Sequence, residues 1–199
     1  MGASPQPVKS LIHRAVSLLE ELHLWGHTGR TGGPSRWLPL NQVSGQPPSW
    51  LVAHGNRDLA ARVAFGLARK TSSKVGYLAV GECAIHAVMR MWLLMAGVEA
   101  AKVQAGELED AEFVPLVVVA GKIAKSNLIF SDQDVPPGSI AQIAGQFIEE
   151  NQLGFLVVDD PDVATLRNPE LPREEERWRV RKEFQEAVRG TGVGLILPG

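Results

Sequence analysis

The sequence predicts an α/β protein whose central sheet is mostly parallel, with helices on both faces. Short apolar runs of five or six residues recur along the chain, and segments of helical length separate them. The runs are also nearly continuous in Val, Leu, Ile and Ala rather than alternating with polar residues, as in strands buried on both faces. Parallel strands of this kind require right-handed crossovers, and a ligand belongs at their carboxyl ends.

VKSLIHRAVSLLEELHLW (8–25) places Leu11, Ile12, Ala15, Leu18, Leu19 and Leu22 on one face, which predicts an amphipathic N-terminal helix. GHTGRTGGPSRWLPLNQVSGQPP (26–48) is dense in turn-forming glycine and proline. Residues 1–30 are therefore expected to be an N-terminal helix and linker, and 31–199 the main domain. SWLVAH (49–54) predicts a strand, and Asp58 to Lys70 a helix. VGYLAV (75–80) predicts the next strand, before an Ala/Met-rich helix from Ala84 to Met95. A single helix is expected from Ala105 to Ala124, with Pro115 marking a kink or a start. NLIFS (127–131) is a strand, and Ser139 is the expected cap of a helix ending at Asn151. GFLVVD (154–159) is a strand, residues 173–189 a charged helix, and VGLIL (193–197) the last strand.

Composition bounds the function. The chain has 199 residues, 45% of them hydrophobic and 21% charged, with a formal net charge of −2. It offers no general attraction to nucleic acid or to an anionic membrane. One cysteine, Cys83, excludes an intrachain disulfide, and no apolar run reaches the length of a membrane span. A soluble, cytoplasmic protein without membrane contact is expected. The five histidines show no metal-ligand spacing with one another or with Cys83, so no metal site is expected. Cys83 reads as a buried small residue, and Met89, Met91, Trp92 and Met95 as helix-packing residues. In REEERWRVRKEF (173–184), Arg173, Arg177 and Arg181 recur every four residues, as do Glu175 and Arg179. The pattern describes a solvated helix face laced with i,i+4 pairs; weak DNA contact is the alternative.

LVAHGNRDLAARVAF (51–65) has the strand–turn–helix layout that carries a phosphate loop in nucleotide-binding proteins. Laid on the pattern G-x-x-x-x-G-K-S/T, the eight positions are His54, Gly55, Asn56, Arg57, Asp58, Leu59, Ala60 and Ala61. His54 and Leu59 stand at the two glycines, Ala60 at the phosphate-neutralising lysine and Ala61 at the magnesium-holding hydroxyl. Asp58 is expected to cap the helix, placing an anion where a phosphate would otherwise bind. Arg57 is expected to project to solvent. FLVVDD (155–160) has the form of a Walker B strand ending in Asp159, and Glu82 follows the strand VGYLAV where a general base could sit.

Together these segments resemble the C-terminal RecA-like ATPase domain of DnaB-type replicative helicases, from about residue 30 onward. LAVGECAIHAVMRM is similar to the family's strand ending in Ser-Leu-Glu-Met and the following Val-Met-Arg-Met helix, which implies Glu82 as the counterpart of the catalytic glutamate and Arg90 in the matching helix. AGVEAAKVQAGELEDAEF resembles a Gly-x-Leu-x-x-x-x-aromatic segment through Gly106, Leu108 and Phe113, and NQLGFLVVDDPDVATL the Walker B strand with Asp159. The resemblance implies a RecA-like P-loop NTPase fold. The departures fall on the chemistry. Glycine, lysine and threonine become Leu59, Ala60 and Ala61, and Leu197-Pro198-Gly199 replaces a phosphate-sensing Ser-Gln pair. The family's channel loops and arginine finger lie largely beyond that point and are expected to be missing.

The expectation is a degenerate, non-hydrolysing helicase-like interaction module of DNA replication or repair, without a cofactor. Its partner would be a replicative helicase, another replication protein or a second copy of itself. The first alternative is a divergent ATPase using ATP and magnesium through Glu82 and Asp159, with Arg57 replacing the lysine. The second is a non-catalytic nucleic-acid binder.

Overall fold

The computed structural model describes residues 5–27, 55–133, 135–136, 138–161 and 172–197, and the side chains of all of these but 22–27, 55–56 and 104. The predicted strand 49–54 and the linker lie outside them. The architecture is α/β, with a five-stranded, mostly parallel sheet and seven helices among the described residues.

The described chain groups into two compact units that interleave in sequence. The first holds the sheet. Its strands are β1 (Gln6–Pro7), β2 (Lys74–Ala79), β3 (Leu128–Ser131), β4 (Leu153–Asp159) and β5 (Gly194–Ile196), in the spatial order β1-β3-β2-β4-β5. Every pairing is parallel except the edge, where Gln6 and Pro7 run antiparallel to Phe130 and Ile129. The sequence gives no warning of β1, because two residues carry no periodicity and Pro7 suits only a sheet edge. In the centre, Tyr77 stands beside Phe130 on one side and Val157 on the other. The unbroken apolar character of β2 and β4 follows, since their residues from Val75 to Val80 and Leu156 to Asp159 are all buried.

Helices cover both faces. Helix α2 (Gly55–Lys70) lies against β2, β3 and β4, and its buried side chains are mostly alanine: Ala60, Ala61, Ala64 and Ala68, with Phe65. Small side chains let the helix axis come close to the sheet. On the opposite face, α6 (Ile140–Asn151) and α7 (Arg173–Val188) bring Ile140, Ala144, Phe147, Val180 and Phe184 onto Leu78, Leu156 and Val158. Gly76 sits beneath this layer, where a Cβ would come within 2.3 Å of Leu153 and 2.9 Å of Phe147. Ser139 does occupy the N-cap position of α6, but its side chain makes no capping hydrogen bond. The charged face of α7 is exposed, and Arg179 pairs with Glu175 at 2.7 Å as the spacing predicts.

The second unit is helical, containing nearly all of α1 (Val8–His27) and of α3 (Ala84–Ala96), with α4 (Ala100–Ala105) and α5 (Asp110–Ala124). The buried face of α1 includes Leu11, Ile12, Ala15, Leu18 and Leu19, as its periodicity predicts; the Leu22 side chain is not described. The single helix expected over 105–124 is instead two. Gly106 ends α4 in the left-handed conformation (φ 72°), which only glycine adopts freely, and Glu109 begins α5. Glu112 reaches back to accept the Glu109 backbone N–H at 3.0 Å and pairs with Lys102 at 3.0 Å. Pro115 lies inside α5, in its second turn, rather than at its start. Leu116, Val119 and Ile123 are the buried residues of α5, and the Leu116 carbonyl accepts the Trp92 indole N–H at 2.7 Å.

No helix among the described residues is long and apolar enough to cross a membrane.

Candidate functional site

Parallel strands β2 and β4 end side by side, so whatever follows them gathers at the carboxyl end of the sheet. Asp159 is the last residue of β4 and is fully buried. After β2 the chain turns through Gly81, whose φ of 73° a side chain would resist, and sets Glu82 beside the same strand ends. The Glu82 side chain is only 2% exposed. Two buried carboxyl groups in one place are costly unless a cation and hydrogen bonds compensate them.

Arg57, on the first turn of α2, supplies the cation. Its Nη1 donates to Glu82 Oε2 at 3.3 Å and its Nε lies 3.8 Å from Asp159 Oδ1. The guanidinium thus spans both acids, and its rigid fork suits that role better than a lysine point charge would. The expectation that Arg57 projects to solvent is overturned: its side chain is 15% exposed. Tyr77, on β2, donates its hydroxyl hydrogen bond to Asp159 Oδ2. Val157 is the registered neighbour of Tyr77, so Asp159 is its diagonal same-face neighbour. The pairing follows from strand parity and could have been read once the register of β2 and β4 was fixed. Arg57 carried no such signal, since its direction depends on where α2 begins.

The start of α2 also differs from the expected one. The helix starts at Gly55, not at Asp58, so Gly55, Asn56 and Arg57 are helical and Asp58 is a first-turn residue rather than the cap. A first-turn carboxylate still interacts favourably with the helix dipole. His54, which precedes the first helical residue, lies outside the described residues. Leu59 faces solvent at 54% exposure, whereas Ala60 and Ala61 are fully buried. The positions aligned with the phosphate-binding lysine and hydroxyl therefore point into the packing of α2.

A further acid, Asp132, follows β3 and accepts the Ala84 backbone N–H at 2.9 Å, satisfying a donor at the start of α3. Sequence reading missed it, because the cap comes from a distant segment. Cys83 is partly exposed rather than buried. Arg90 is buried on α3, as are Met89, Met91 and Trp92. Among the described residues, no group of three or more His, Cys, Asp or Glu side chains is placed to hold a metal ion.

Chemically, two acids at parallel strand ends could orient a divalent cation or take a proton from water. Here one guanidinium already occupies the space between them. A scan against protein-family models finds no matching family, and a search of curated proteins finds no matching relative.

Proposed function

We propose that the chain is a non-hydrolysing, RecA-like protein of the replicative-helicase type, acting as an interaction module in DNA replication or repair. The observation that carries the reading is the Arg57 bridge. Glu82 and Asp159 correspond by resemblance to the catalytic and magnesium-orienting acids, and both lie against the Arg57 guanidinium. A magnesium ion arriving with a nucleotide would have to displace that guanidinium from the same carboxylate oxygens. It would then find no lysine or hydroxyl on α2 to hold the phosphates, because Ala60 and Ala61 are buried. On this reading the strand-end acids and Arg57 tie α2 to the carboxyl ends of β2 and β4, and association with a helicase subunit, another replication protein or a second copy is the protein's work.

Isothermal titration with magnesium and ATP, and with a non-hydrolysable analogue, tests it. No saturable heat is expected. A magnesium-dependent Kd of about 10 µM or tighter would overturn the reading and favour a divergent ATPase in which Arg57 releases the acids to bind metal.

A further inference from the structure

Helix α5 carries its side chains in an unusual arrangement. The face that packs within its unit holds Leu116, Val119 and Ile123, together with Glu112 in its ion pair with Lys102. The opposite face is also apolar: Val114 is 65% exposed, Val117 70% and Val118 48%. At 100° per residue these three, with the exposed Gly121, fall in one stripe, and Asp110 and Lys125 extend that stripe at its two ends. A Cβ added at Gly121 would meet nothing within 4 Å, so the stripe has a shallow notch one turn beyond its valines. A helix that is apolar on both faces is expected to be covered on both.

We infer that this stripe is a self-association surface on which α5 of a second copy lies antiparallel about a two-fold axis. The sequence of the stripe is complementary to its own reverse. With the axis between Val117 and Val118, Val117 of each copy faces Val118 of the other and Val114 enters the notch at Gly121. Asp110 then meets Lys125 at both ends. Because a two-fold contact is isologous, each favourable pair occurs twice. A parallel arrangement would instead set Asp110 against Asp110 and Lys125 against Lys125. The charges therefore select the antiparallel form while the valines supply the apolar centre. A single pair of helices about 22 Å long buries less surface than a standard stable interface, so a Kd on the order of 100 µM is expected. The inference stands on α5 alone and does not depend on the state of the nucleotide position.

Sedimentation equilibrium across a concentration series of the full chain provides the test, using wild type, Asp110→Lys and Lys125→Glu. Wild type should show a reversible monomer–dimer equilibrium. Each variant alone places two like-charged pairs in the dimer and should associate about tenfold more weakly. Mixed one to one, the two variants restore opposite charges at both ends and should form a heterodimer at least as well as wild type. Both substitution sites are exposed, and circular dichroism reports directly that the variants are folded. Wild type that stays monomeric at millimolar concentration overturns the inference, as does a dimer that is indifferent to either charge reversal. Variants weakened alone but not rescued on mixing would overturn the antiparallel geometry and with it the proposal.

Discussion

At the carboxyl ends of β2 and β4 the protein buries charge; along the outer face of α5 it exposes valine. Glu82 and Asp159 are withdrawn from water and held by Arg57 and Tyr77, whereas Val117 is 70% exposed. Both regions depart from the usual partition of polar and apolar groups, and they differ in how the departure is compensated. The ion cluster finds its partners inside its own unit, through an arginine one helix away and a tyrosine one strand away. The valine stripe has no comparable cover among the described residues of its unit. A buried charge with internal partners is a structural solution, and an exposed apolar face with self-complementary ends is an invitation to another molecule.

The largest effect should come from breaking the first region. Arg57→Met keeps an unbranched apolar stem and removes the guanidinium charge, leaving two buried carboxyl groups without their cation. Unfolding by urea should show a loss of about 3 kcal/mol, within the range for removing one partner of a buried ion pair. Adding Glu82→Gln and Asp159→Asn to the same chain should recover most of that loss, because the penalty belongs to the orphaned acids. A loss in the single variant below about 0.5 kcal/mol would mean that the cluster is wet and exchangeable, and the contrast between the two regions would disappear.

How much of each region the sequence displays follows from the range of the interactions involved. The apolar runs of β2, β3 and β4 record burial on both faces directly in composition, so the α/β class and the strand positions are legible. Glu82 and Asp159 are legible as candidates for the same reason, since each ends such a run. Their partner is not: Arg57 points inward because α2 starts at Gly55, and the residue before that start offers none of the usual capping oxygens. The break between α4 and α5 was present locally, in Gly106 and the Glu109–Glu112 spacing, but a run of good helix formers on both sides masked it. Asp132 at the start of α3 and the antiparallel β1 depend on contacts far apart in sequence, which periodicity cannot express. The α5 stripe is an intermediate case. Its valines are visible in the sequence, but only the structure shows which of Val117, Val118 and Val119 is buried.

The inward face of the helix that carries the second region has its own, milder electrostatics, and acid should expose them. The backbone N–H of Glu109, and then Lys102, hold the Glu112 carboxyl below its ordinary value of 4.5. Glu112 holds the Lys102 ammonium above its ordinary 10.5 in return. A carboxylate whose folded pKa is depressed contributes stability above its unfolded pKa and loses that contribution as pH falls through the folded value. The first turn of α5 should therefore loosen below about pH 4.5, seen as faster hydrogen exchange of its amides after correction for the intrinsic rate. The raised Lys102 works in the opposite direction, its contribution being lost only as pH climbs past 10.5. Glu112→Gln retains an oxygen that can accept from Glu109 but has nothing to titrate, so its exchange should be flat across the acid range. Equal acid sensitivity in Glu112→Gln and wild type would locate the effect elsewhere.

The smallest expected effect is also the one that separates folding from association. Val117→Ala removes a β-branched side chain from an exposed helical position, and alanine is the better helix former by about 0.5 kcal/mol. In dilute solution, where the chain is monomeric, the variant should be as stable as wild type or slightly more so by urea unfolding. At high concentration the same substitution takes apolar surface from the centre of the inferred contact, so self-association should weaken. These opposite signs cannot both come from a residue that packs inside its own unit. A monomer destabilised by about 1 kcal/mol or more would show that Val117 already has an intramolecular role. In that event α5 would be an ordinary packed helix, and the contrast with the strand-end cluster would reduce to two kinds of core.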